Sequence, residues 1–373
     1  MKKILIVNKY FSPDIGGVET VVKQHAYILK NDYIIKVLCV SKNFSLFSKN
    51  ECIDGVTVLR CGSFGTFFSM PVSISFFLHY LVGWLRSDII INHSPFPLMD
   101  IAQYFSKFFA RRTNILFWHS DIVKQKKLKS ILMPFIRSSL DNSTLILTTS
   151  PNLLQSSPDL KDYVSKSRVL PLFVDSMEIK EKTCGHVPTK NYDFIFFGRL
   201  CYYKGVDVLM AALAHLKERG VQPKVLIAGE GELSELVTKQ ILQHQLVNVT
   251  FMDRFLTEEE KYQYLLDSKC FLFPSVASSE AFGITQLESM ALGTPVINTN
   301  LNTGVPYVSL NNVCGLTVEP NNPEQFAAAM LDILNDEERL SVFSDNCKVR
   351  VAELFEQQVV ERKFKEMIDG VLK

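Results

Sequence analysis

The chain has 373 residues, of which 47% are hydrophobic and 21% are charged. This composition excludes a disordered chain, and the length allows two or three globular domains. The net charge of +1 conceals an asymmetry, because residues 1–172 carry 21 Lys and Arg against 11 Asp and Glu, and the remainder carries 19 against 28. A basic first half predicts contact with a membrane surface, a lipid diphosphate or a nucleic acid, and chance variation between domains is the alternative.

The cysteines and the N-terminus indicate in which cellular compartment the protein functions. The eight cysteines form no C-x-x-C pair and no Cys/His cluster with zinc-ligand spacing, which is typical of free thiols in a reducing compartment. The first apolar run, Ile4–Val7, is shorter than the core of a signal peptide. The uncharged stretch from Cys61 to Leu85 is interrupted by Ser, Pro and His, which favours a buried or interfacial helix over a spanning one. We therefore predict a cytoplasmic protein.

Short apolar runs alternate with amphipathic segments, a pattern that predicts parallel sheets with helices on both faces. In the first half the predicted strands are Ile4–Asn8, Ile34–Val40, Val56–Arg60, Asp88–Asn92, Ile115–Trp118 and Leu145–Thr148. In the second half they are Phe194–Phe197, Val225–Ala228, Val249–Phe251, Cys270–Phe273 and Pro295–Asn298. The predicted helices are Val18–Lys30, Val206–Arg219, Leu233–His244, Glu258–Leu266 and Ile284–Leu292.

The non-periodic stretch 171–191 is the predicted linker between two doubly wound domains. The boundaries follow as residues 1–172 and 173–352, with a helical segment at 353–373. In doubly wound sheets ligands bind beyond the carboxyl ends of the strands. A ligand site is therefore expected in the cleft between the two domains.

Two places in the first half contain candidate binding residues. Gly16 and Gly17 lie between the first strand and the first helix, where glycines allow close approach of a ligand and amide groups at a helix N-terminus favour a phosphate. A Gly-Gly turn without function is the alternative. His119 follows a predicted strand, where it would point into the cleft and donate a hydrogen bond to a sugar hydroxyl or to developing charge. An incidental histidine beside a helix cap is the alternative there, and His93 occupies the same position after another strand.

Cations follow the first predicted strand of the second half. Arg199 and Lys204 are five residues apart across the turn before a helix, where they can neutralise the two phosphates of a leaving nucleoside diphosphate. Two solvated surface cations are the alternative. After the next strand, Gly229 and Gly231 form half of a dinucleotide fingerprint, but Ser234 stands where the third glycine would be. The turn fits any nucleotide-binding strand-to-helix connection.

Two glutamates separated by seven residues form the strongest motif. Glu280 is predicted in the loop before a helix and Glu288 more than a turn inside it, so one carboxylate would hold sugar hydroxyls and the other ribose hydroxyls. The amide groups of Phe282, Gly283 and Ile284 would face phosphate or sugar oxygens. The alternative is a surface helix with two unrelated glutamates. The sequence contains no Asp-x-Asp, P-loop or Gly-x-Ser-x-Gly motif, which argues against a metal held by the first, a P-loop kinase and an α/β-hydrolase.

In order and spacing, these motifs resemble the E-x7-E glycosyltransferases of family 4 along essentially the whole chain. The resemblance implies the GT-B fold, in which two Rossmann-like doubly wound domains face each other across a cleft. The first domain would bind the acceptor and the second the nucleotide-sugar, and the final helix would pack back on the first. The resemblance further implies a hexosyltransferase that retains the anomeric configuration, with no metal and no cofactor.

Roles for single residues come from the same resemblance. Matched by position, Arg199 and Lys204 would bind the diphosphate, and Gly17 would approach it. Glu288 would bind the ribose. Glu280 and His119 would contact the transferred sugar. With no carboxylate nucleophile indicated, the leaving phosphate is the expected base. Ala281 replaces the first residue of the usual Gly-Phe-Gly and adds a methyl group near the sugar.

The segments 119–126 and 202–205 resemble bacterial enzymes of O-antigen and exopolysaccharide assembly. The resemblance implies GDP-mannose or a related GDP-sugar as the donor, with UDP-sugars as the rival. It also implies a lipid-linked saccharide acceptor, peripheral attachment to the cytoplasmic face of the inner membrane, and no nucleic acid partner. Three other functions stay open at this point: a nucleotide-sugar epimerase of the same fold, an NAD-dependent dehydrogenase and a non-catalytic membrane-surface scaffold.

Overall fold

The computed structural model of the chain describes residues 1–14, 16–67, 70–122 and 126–372. Contacts divide the chain into two compact units, unit 1 with Met1–Leu170 and Glu361–Lys373, and unit 2 with Pro171–Val360. The last segment therefore changes unit at Glu361 and not at the expected residue 353. Residues Val351–Phe355 form a π-helical turn, and Phe355 stays in unit 2 because its ring packs on those of Phe282 and Tyr307.

Unit 1 is built on one large sheet. Its strands are β1 (Lys3–Val7), β2 (Ile34–Val40), β3 (Lys49–Ile53), β4 (Val56–Cys61), β5 (Thr66–Phe67), β6 (Met70–Pro71), β7 (Ile89–Ser94), β8 (Thr113–Trp118), β9 (Leu145–Thr148) and β10 (Ser167–Val169). In the described residues the large sheet has eight strands in the order β10-β9-β8-β7-β1-β2-β4-β3. All neighbours are parallel except β3 and β4, and β5 and β6 form a separate hairpin.

Helices cover this sheet because the central strands are apolar on both sides. The helices before the unit boundary are α1 (Gly17–Leu29), α2 (Ile74–Arg86), α3 (Pro97–Ser106), α4 (Lys126–Asp141) and α5 (Pro151–Ser156). Every residue of β7 is buried, as expected for a strand packed between two helical layers. The aromatic residues Phe76, Tyr80 and Trp84 of α2 pack into the core with Leu5 and Leu98.

The uncharged stretch from Cys61 to Leu85 forms the β5–β6 hairpin and most of α2. The hydroxyl of Ser73 caps this helix by accepting a hydrogen bond from the amide of Phe76 at 3.3 Å. Among the described residues, every helix is too short or too polar to cross a membrane.

Unit 2 contains a smaller, fully parallel sheet. Its strands are β11 (Tyr192–Phe197), β12 (Val225–Ala228), β13 (Val249–Met252), β14 (Ser268–Leu272), β15 (Val296–Thr299) and β16 (Gly315–Val318). Their order among the described residues is β13-β12-β11-β14-β15-β16. The carboxyl ends of β11 and β14 are therefore neighbours, which decides what the loops after these two strands can bring together.

The helices that begin after the unit boundary include one inside the predicted linker. They are α6 (Ser176–Lys182), α7 (Val206–Glu218), α8 (Ser234–Gln243), α9 (Glu258–Leu266), α10 (Ile284–Ala291), α11 (Val305–Val308), α12 (Pro323–Asn335), α13 (Glu337–Arg350) and α14 (Gln357–Gly370). The prediction of a non-periodic linker over 171–191 is thus wrong for its middle. Asp175 caps α6 by accepting hydrogen bonds from the amides of Met177 and Glu178 at 3.0 and 3.1 Å.

Candidate functional site

Two ion pairs lie at the carboxyl edge of the unit 2 sheet, and we call their four residues, Lys204, Glu280, Lys261 and Glu288, the two-carboxylate site. The first pair joins the loops after β11 and β14. Lys204 Nζ lies 2.5 Å from Glu280 Oε2, and both side chains are mostly buried. Ser275 Oγ also donates to Glu280 Oε2, at 3.5 Å. The structure therefore brings together the predicted cation Lys204 and the predicted carboxylate Glu280, because the strands before their loops are neighbours in the sheet.

A glycine fixes the position of Lys204. The lysine ends the short 3₁₀ turn Tyr202–Lys204, and Gly205 follows with φ of 67°. A Cβ on Gly205 would lie 2.0 Å from the carbonyl oxygen of Pro274, just after β14. Only glycine fits this turn, both for its left-handed backbone and for its contact with the neighbouring loop. The turn thus holds the Lys204 ammonium near the loop that contains Glu280.

The second ion pair joins α9 and α10. Lys261 Nζ lies 2.6 Å from Glu288 Oε1, and the Tyr262 hydroxyl lies 3.5 Å from the same oxygen. Among the residues that the structure describes, no hydrogen-bond donor reaches the buried Glu288 Oε2. Burial raises the pKa of Glu288 above its usual value, and the nearby Lys261 ammonium opposes that rise. A buried carboxylate oxygen without a partner can accept a hydrogen bond from a ligand hydroxyl.

Lys261 and Tyr262 were missed by the sequence reasoning. Lys261 follows three consecutive glutamates, a pattern that ordinarily indicates a solvated helix face. The one signal there is the capping box of Thr257 and Glu260, which marks where α9 begins after β13. That signal places Lys261 in the first turns of a helix at the same sheet edge, but not beside Glu288.

The glycines of the incomplete fingerprint have a packing role. Gly229 has φ of 144°, and a Cβ there would lie 1.8 Å from the carbonyl oxygen of Gly198. A Cβ on Gly231 would lie 2.3 Å from the carbonyl oxygen of Leu200. The loops after β11 and β12 thus touch through their backbones, which requires residues without side chains. This contact accounts for both glycines without a dinucleotide.

The remaining predicted residues of unit 2 surround these loops. Arg199 is exposed between Gly198 and Leu200. Phe282 is buried, Gly283 has φ of 84°, and Ile284 begins α10. The structure therefore places Arg199 in the loop after β11, Phe282 and Gly283 in the loop after β14, and Ile284 at the first position of α10.

In unit 1, His119 belongs to a buried cluster of three histidines. Its side chain is 4% exposed, and its Nε2 lies 2.8 Å from His93 Nδ1. The two rings stack at 5.1 Å between centroids, and both also stack on Phe117. His119 is thus enclosed by rings, and not open at the strand end as expected. Because Nε2 faces His93, Nδ1 is the ring nitrogen left for another group.

His25 completes this cluster and was not singled out in the sequence. Its ring lies 5.5 Å from that of His93, 4.9 Å from Phe117 and 4.8 Å from Phe364 of α14. Within the described residues, neither nitrogen of His25 has a hydrogen-bond partner. Burial lowers the pKa of His25 and of His119 to about 3, and lowers that of His93 well below its usual value. All three rings are therefore neutral at pH 7.

This cluster predicts acid sensitivity. The unfolded chain takes up protons at the three histidines near pH 6.5, whereas in the folded chain His25 and His119 do so only at about pH 3 and His93 only well below pH 6.5. We expect the free energy of unfolding to be greatest above pH 6.5 and to fall by up to about 1.4 kcal/mol per pH unit for each histidine below it. His25→Phe should lower by one the number of protons that the chain takes up on unfolding. The free energy of unfolding should then fall less steeply with pH, as measured by urea unfolding between pH 7 and pH 4. His215→Phe, at a partly exposed histidine outside the cluster, is the control, and an unchanged slope for His25→Phe would contradict the assignment.

Gly16 and Gly17 lie at the start of α1, as the sequence predicts. A Cβ on Gly17 would meet no other atom within 4 Å, so packing inside the protein does not require glycine there. The preceding loop is held by Arg60, whose guanidinium donates to the carbonyl oxygens of Phe11 at 3.3 Å and Ser12 at 2.6 Å. A fixed loop and an open approach are what a ligand contact at Gly17 would need.

Residues 123–125 of the segment 119–126 lie outside the described residues. In the described part of the chain, no group of three or more His, Cys, Asp or Glu is arranged to hold a metal ion.

Comparisons with known proteins identify a matching family model and similar enzymes. Residues 179–350 match the family model described as "Glycosyl transferases group 1". The chain is 34% identical to O-antigen chain mannosyltransferase C of Escherichia coli over 272 residues, which cover 72% of this chain and 71% of that protein. It is 29% identical to D-rhamnosyltransferase WbpZ of Pseudomonas aeruginosa over 292 residues, covering 77% and 74% of the two chains.

Solved structures resemble the whole chain at low sequence identity. Sucrose-phosphate synthase of Thermosynechococcus elongatus superposes with a TM-score of 0.78 at 16% identity, over 100% of this chain and 99% of that one. Anabaena HepE in complex with UDP gives 0.75 at 16% identity, over 99% and 100%. Both similarities concern the fold and extend over both units.

Proposed function

Since the chain belongs to the family of group 1 glycosyltransferases, we propose that it transfers a hexosyl group from a nucleotide-sugar to a lipid-linked saccharide with retention of the anomeric configuration. The protein is a glycosyltransferase of the GT-B fold. Family membership decides against the epimerase, dehydrogenase and scaffold alternatives.

The unpartnered Glu288 Oε2 is the observation that best supports a nucleotide site in unit 2. In this proposal a ribose hydroxyl of the donor donates to Oε2, while Lys261 keeps Oε1. A buried carboxylate with one oxygen already satisfied is a stronger acceptor than a neutral oxygen, because the charge assists the hydrogen bond. Without a ligand, this buried oxygen makes no hydrogen bond, which costs free energy.

The Lys204–Glu280 pair supports a coupled exchange of partners. In the proposed complex, the diphosphate of the donor competes with Glu280 for the Lys204 ammonium, which now lies 2.5 Å from Glu280 Oε2. Glu280 is then released to accept hydrogen bonds from hydroxyls of the transferred sugar. Arg199 and the amides of Phe282, Gly283 and Ile284 would add further positive charge around the leaving group.

In the proposed reaction, the bond between the anomeric carbon and the diphosphate oxygen breaks first. Lys204 stabilises the negative charge that develops on the leaving diphosphate. The acceptor hydroxyl oxygen bonds to the anomeric carbon on the same face, and its proton passes to a leaving phosphate oxygen. His119, Gly16 and Gly17 belong to unit 1, and their contact with the donor remains a prediction.

The names of the relatives favour a donor with the manno configuration. One relative is named a mannosyltransferase and the other a D-rhamnosyltransferase, and D-rhamnose is D-mannose without its terminal hydroxyl. We therefore propose GDP-mannose or a related GDP-sugar, with UDP-sugars as the second choice. The first name also supports a role in O-antigen synthesis, and we propose that the acceptor lies in the inner membrane with the enzyme on its cytoplasmic face. The excess of Lys and Arg over Asp and Glu in residues 1–172 is compatible with binding to an anionic membrane surface.

A thermal-shift screen across GDP-, UDP-, ADP- and dTDP-sugars tests the donor assignment. A ligand that binds only the folded protein, at about 100 times its Kd, adds about 2.7 kcal/mol to the free energy of unfolding. We expect GDP-mannose or another GDP-sugar to give the largest rise in Tm. Proton NMR of the product should then show the anomeric configuration of the donor. A chain that no sugar nucleotide stabilises, or an inverted product, would contradict the proposal.

A further inference from the structure

An exposed apolar surface in unit 1 is not used by the proposed reaction. Helices α2 and α3 pack side by side, and their outer residues form what we call the α2–α3 apolar face. Its members are Ile74, Leu78, Val82, Leu85, Phe105, Phe108 and Phe109, all of them exposed. Phe108 and Phe109 are 70% and 65% exposed, although phenylalanine is ordinarily buried. A contiguous apolar face of this kind marks an interaction site.

The face includes an open groove of about 430 Å³ between the two helices. The groove is lined by Phe77, Leu78, Leu81, Ala102, Phe105, Ser106 and Phe109. Ser106 is the only polar side chain in that lining, so the groove offers almost no hydrogen-bonding group that would recognise a polar ligand or a peptide backbone. An apolar chain is the occupant that this surface fits.

Cations lie at one end of the apolar face. Arg86 ends α2, and Arg111 and Arg112 follow α3. Arg112 donates to the carbonyl oxygen of Leu85 at 2.5 Å, which places these arginines at one end of the face. Lys107, at the C-terminus of α3, lies over the rings of Tyr104 and Phe108.

Acidic residues near these cations are occupied elsewhere. Residues 86–137 contain nine Lys and Arg but only three Asp and Glu. Asp88 accepts a hydrogen bond from the amide of Lys3, Asp121 accepts from Trp118 and Ser157, and Asp100 is buried. Arg86, Lys107, Arg111 and Arg112 therefore give the surface beside the face an excess of positive charge.

We propose that the α2–α3 apolar face docks on an anionic lipid bilayer, with its phenylalanines in the acyl-chain boundary and its arginines and lysine at the headgroups. Apolar insertion together with basic residues is the combination that holds a protein on such a surface. A second copy of this chain is a poorer partner, because a two-fold contact would set the same cations against each other. The inference rests on the proposed function, since a lipid-linked acceptor would lie in that bilayer.

The test is flotation of the full chain with vesicles of phosphatidylcholine alone and of phosphatidylcholine mixed with phosphatidylglycerol. We expect binding to the mixed vesicles only, and binding that weakens as salt is raised. Phe108→Ser with Phe109→Ser, and separately Arg86→Glu with Arg111→Glu, should each weaken binding by about tenfold or more. The matched control is Leu242→Ser with Val247→Ser, which removes two apolar residues of unit 2 that are 73% and 80% exposed.

Flotation requires no catalysis, so its outcome is independent of the proposed reaction. Transfer to a water-soluble acceptor should be unchanged in both double variants, because none of the four residues belongs to the two-carboxylate site. Equal binding by the phenylalanine variant, the arginine variant and the control would overturn the proposal. So would a dimer in sedimentation velocity that Phe108→Ser with Phe109→Ser dissociates, since the face would then hold a second copy. Vesicle binding without sugar transfer would refute the proposed function and leave this inference intact.

Discussion

Replacing Lys204 with alanine should lower kcat of sugar transfer by about 10²–10³-fold, or roughly 2.7–4 kcal/mol. The lysine is the mostly buried cation that the structure places against Glu280, at the sheet edge where the diphosphate is proposed to leave. Its removal takes away positive charge where negative charge develops in the transition state. The measurement is single-turnover transfer with saturating donor, which separates chemistry from binding.

Two variants make this result specific. Lys269→Ala removes a lysine of the same unit whose Nζ lies 3.0 Å from Asp193 Oδ1, and it should change transfer little. Lys204→Ala also leaves Glu280 without its cation, which lowers stability. Adding Glu280→Gln should restore part of that stability and none of the activity. Near-normal transfer by Lys204→Ala would remove Lys204 from the proposed site.

Replacing Glu288 with glutamine should raise the KM for the donor by about tenfold to a hundredfold, since a hydrogen bond to a charged group contributes about 1.5–3 kcal/mol. Glutamine keeps the shape of the side chain but loses the charge that Lys261 now neutralises at 2.6 Å. Because the ribose does not react, kcat should fall much less than kcat/KM. Steady-state kinetics with varied donor measures the split.

A remote carboxylate provides the control for Glu288. Glu356 accepts hydrogen bonds from the amide and the hydroxyl of Ser176, at 3.0 and 2.6 Å, outside the two-carboxylate site. Glu356→Gln should lower stability and leave the donor KM unchanged. A fall in kcat alone for Glu288→Gln would place Glu288 at the reacting sugar and would contradict a ribose contact.

Much of unit 2 could be predicted because its signals are local. Apolar runs gave the positions of β11 to β15, and the order of parallel strands places loop residues at one sheet edge. Lys204 and Glu280 were both expected at the donor, but the pairing of β11 with β14 that brings them together is known only from the sheet order. Three edge strands, β3, β10 and β16, were missed. The first is polar and antiparallel, the second has only three residues, and the third has only four, one of them glycine.

Contacts between helices could not be predicted in the same way. Lys261 follows three glutamates in a helix with little amphipathic pattern, and only the packing of α9 on α10 turns it toward Glu288. His25 has the periodicity of an ordinary buried position, and its neighbours His93 and Phe364 are far away in sequence. Such pairs depend on tertiary packing, which overrides what single segments indicate.

A crystal structure of the chain with bound GDP would show whether unit 2 holds the nucleotide as proposed. We expect the nucleotide at the carboxyl edge of the unit 2 sheet, with Lys204 Nζ about 3 Å from a phosphate oxygen and Glu288 Oε2 accepting from a ribose hydroxyl. GDP bound elsewhere, with the Lys204–Glu280 pair unbroken and Glu288 Oε2 still without a donor, would contradict it.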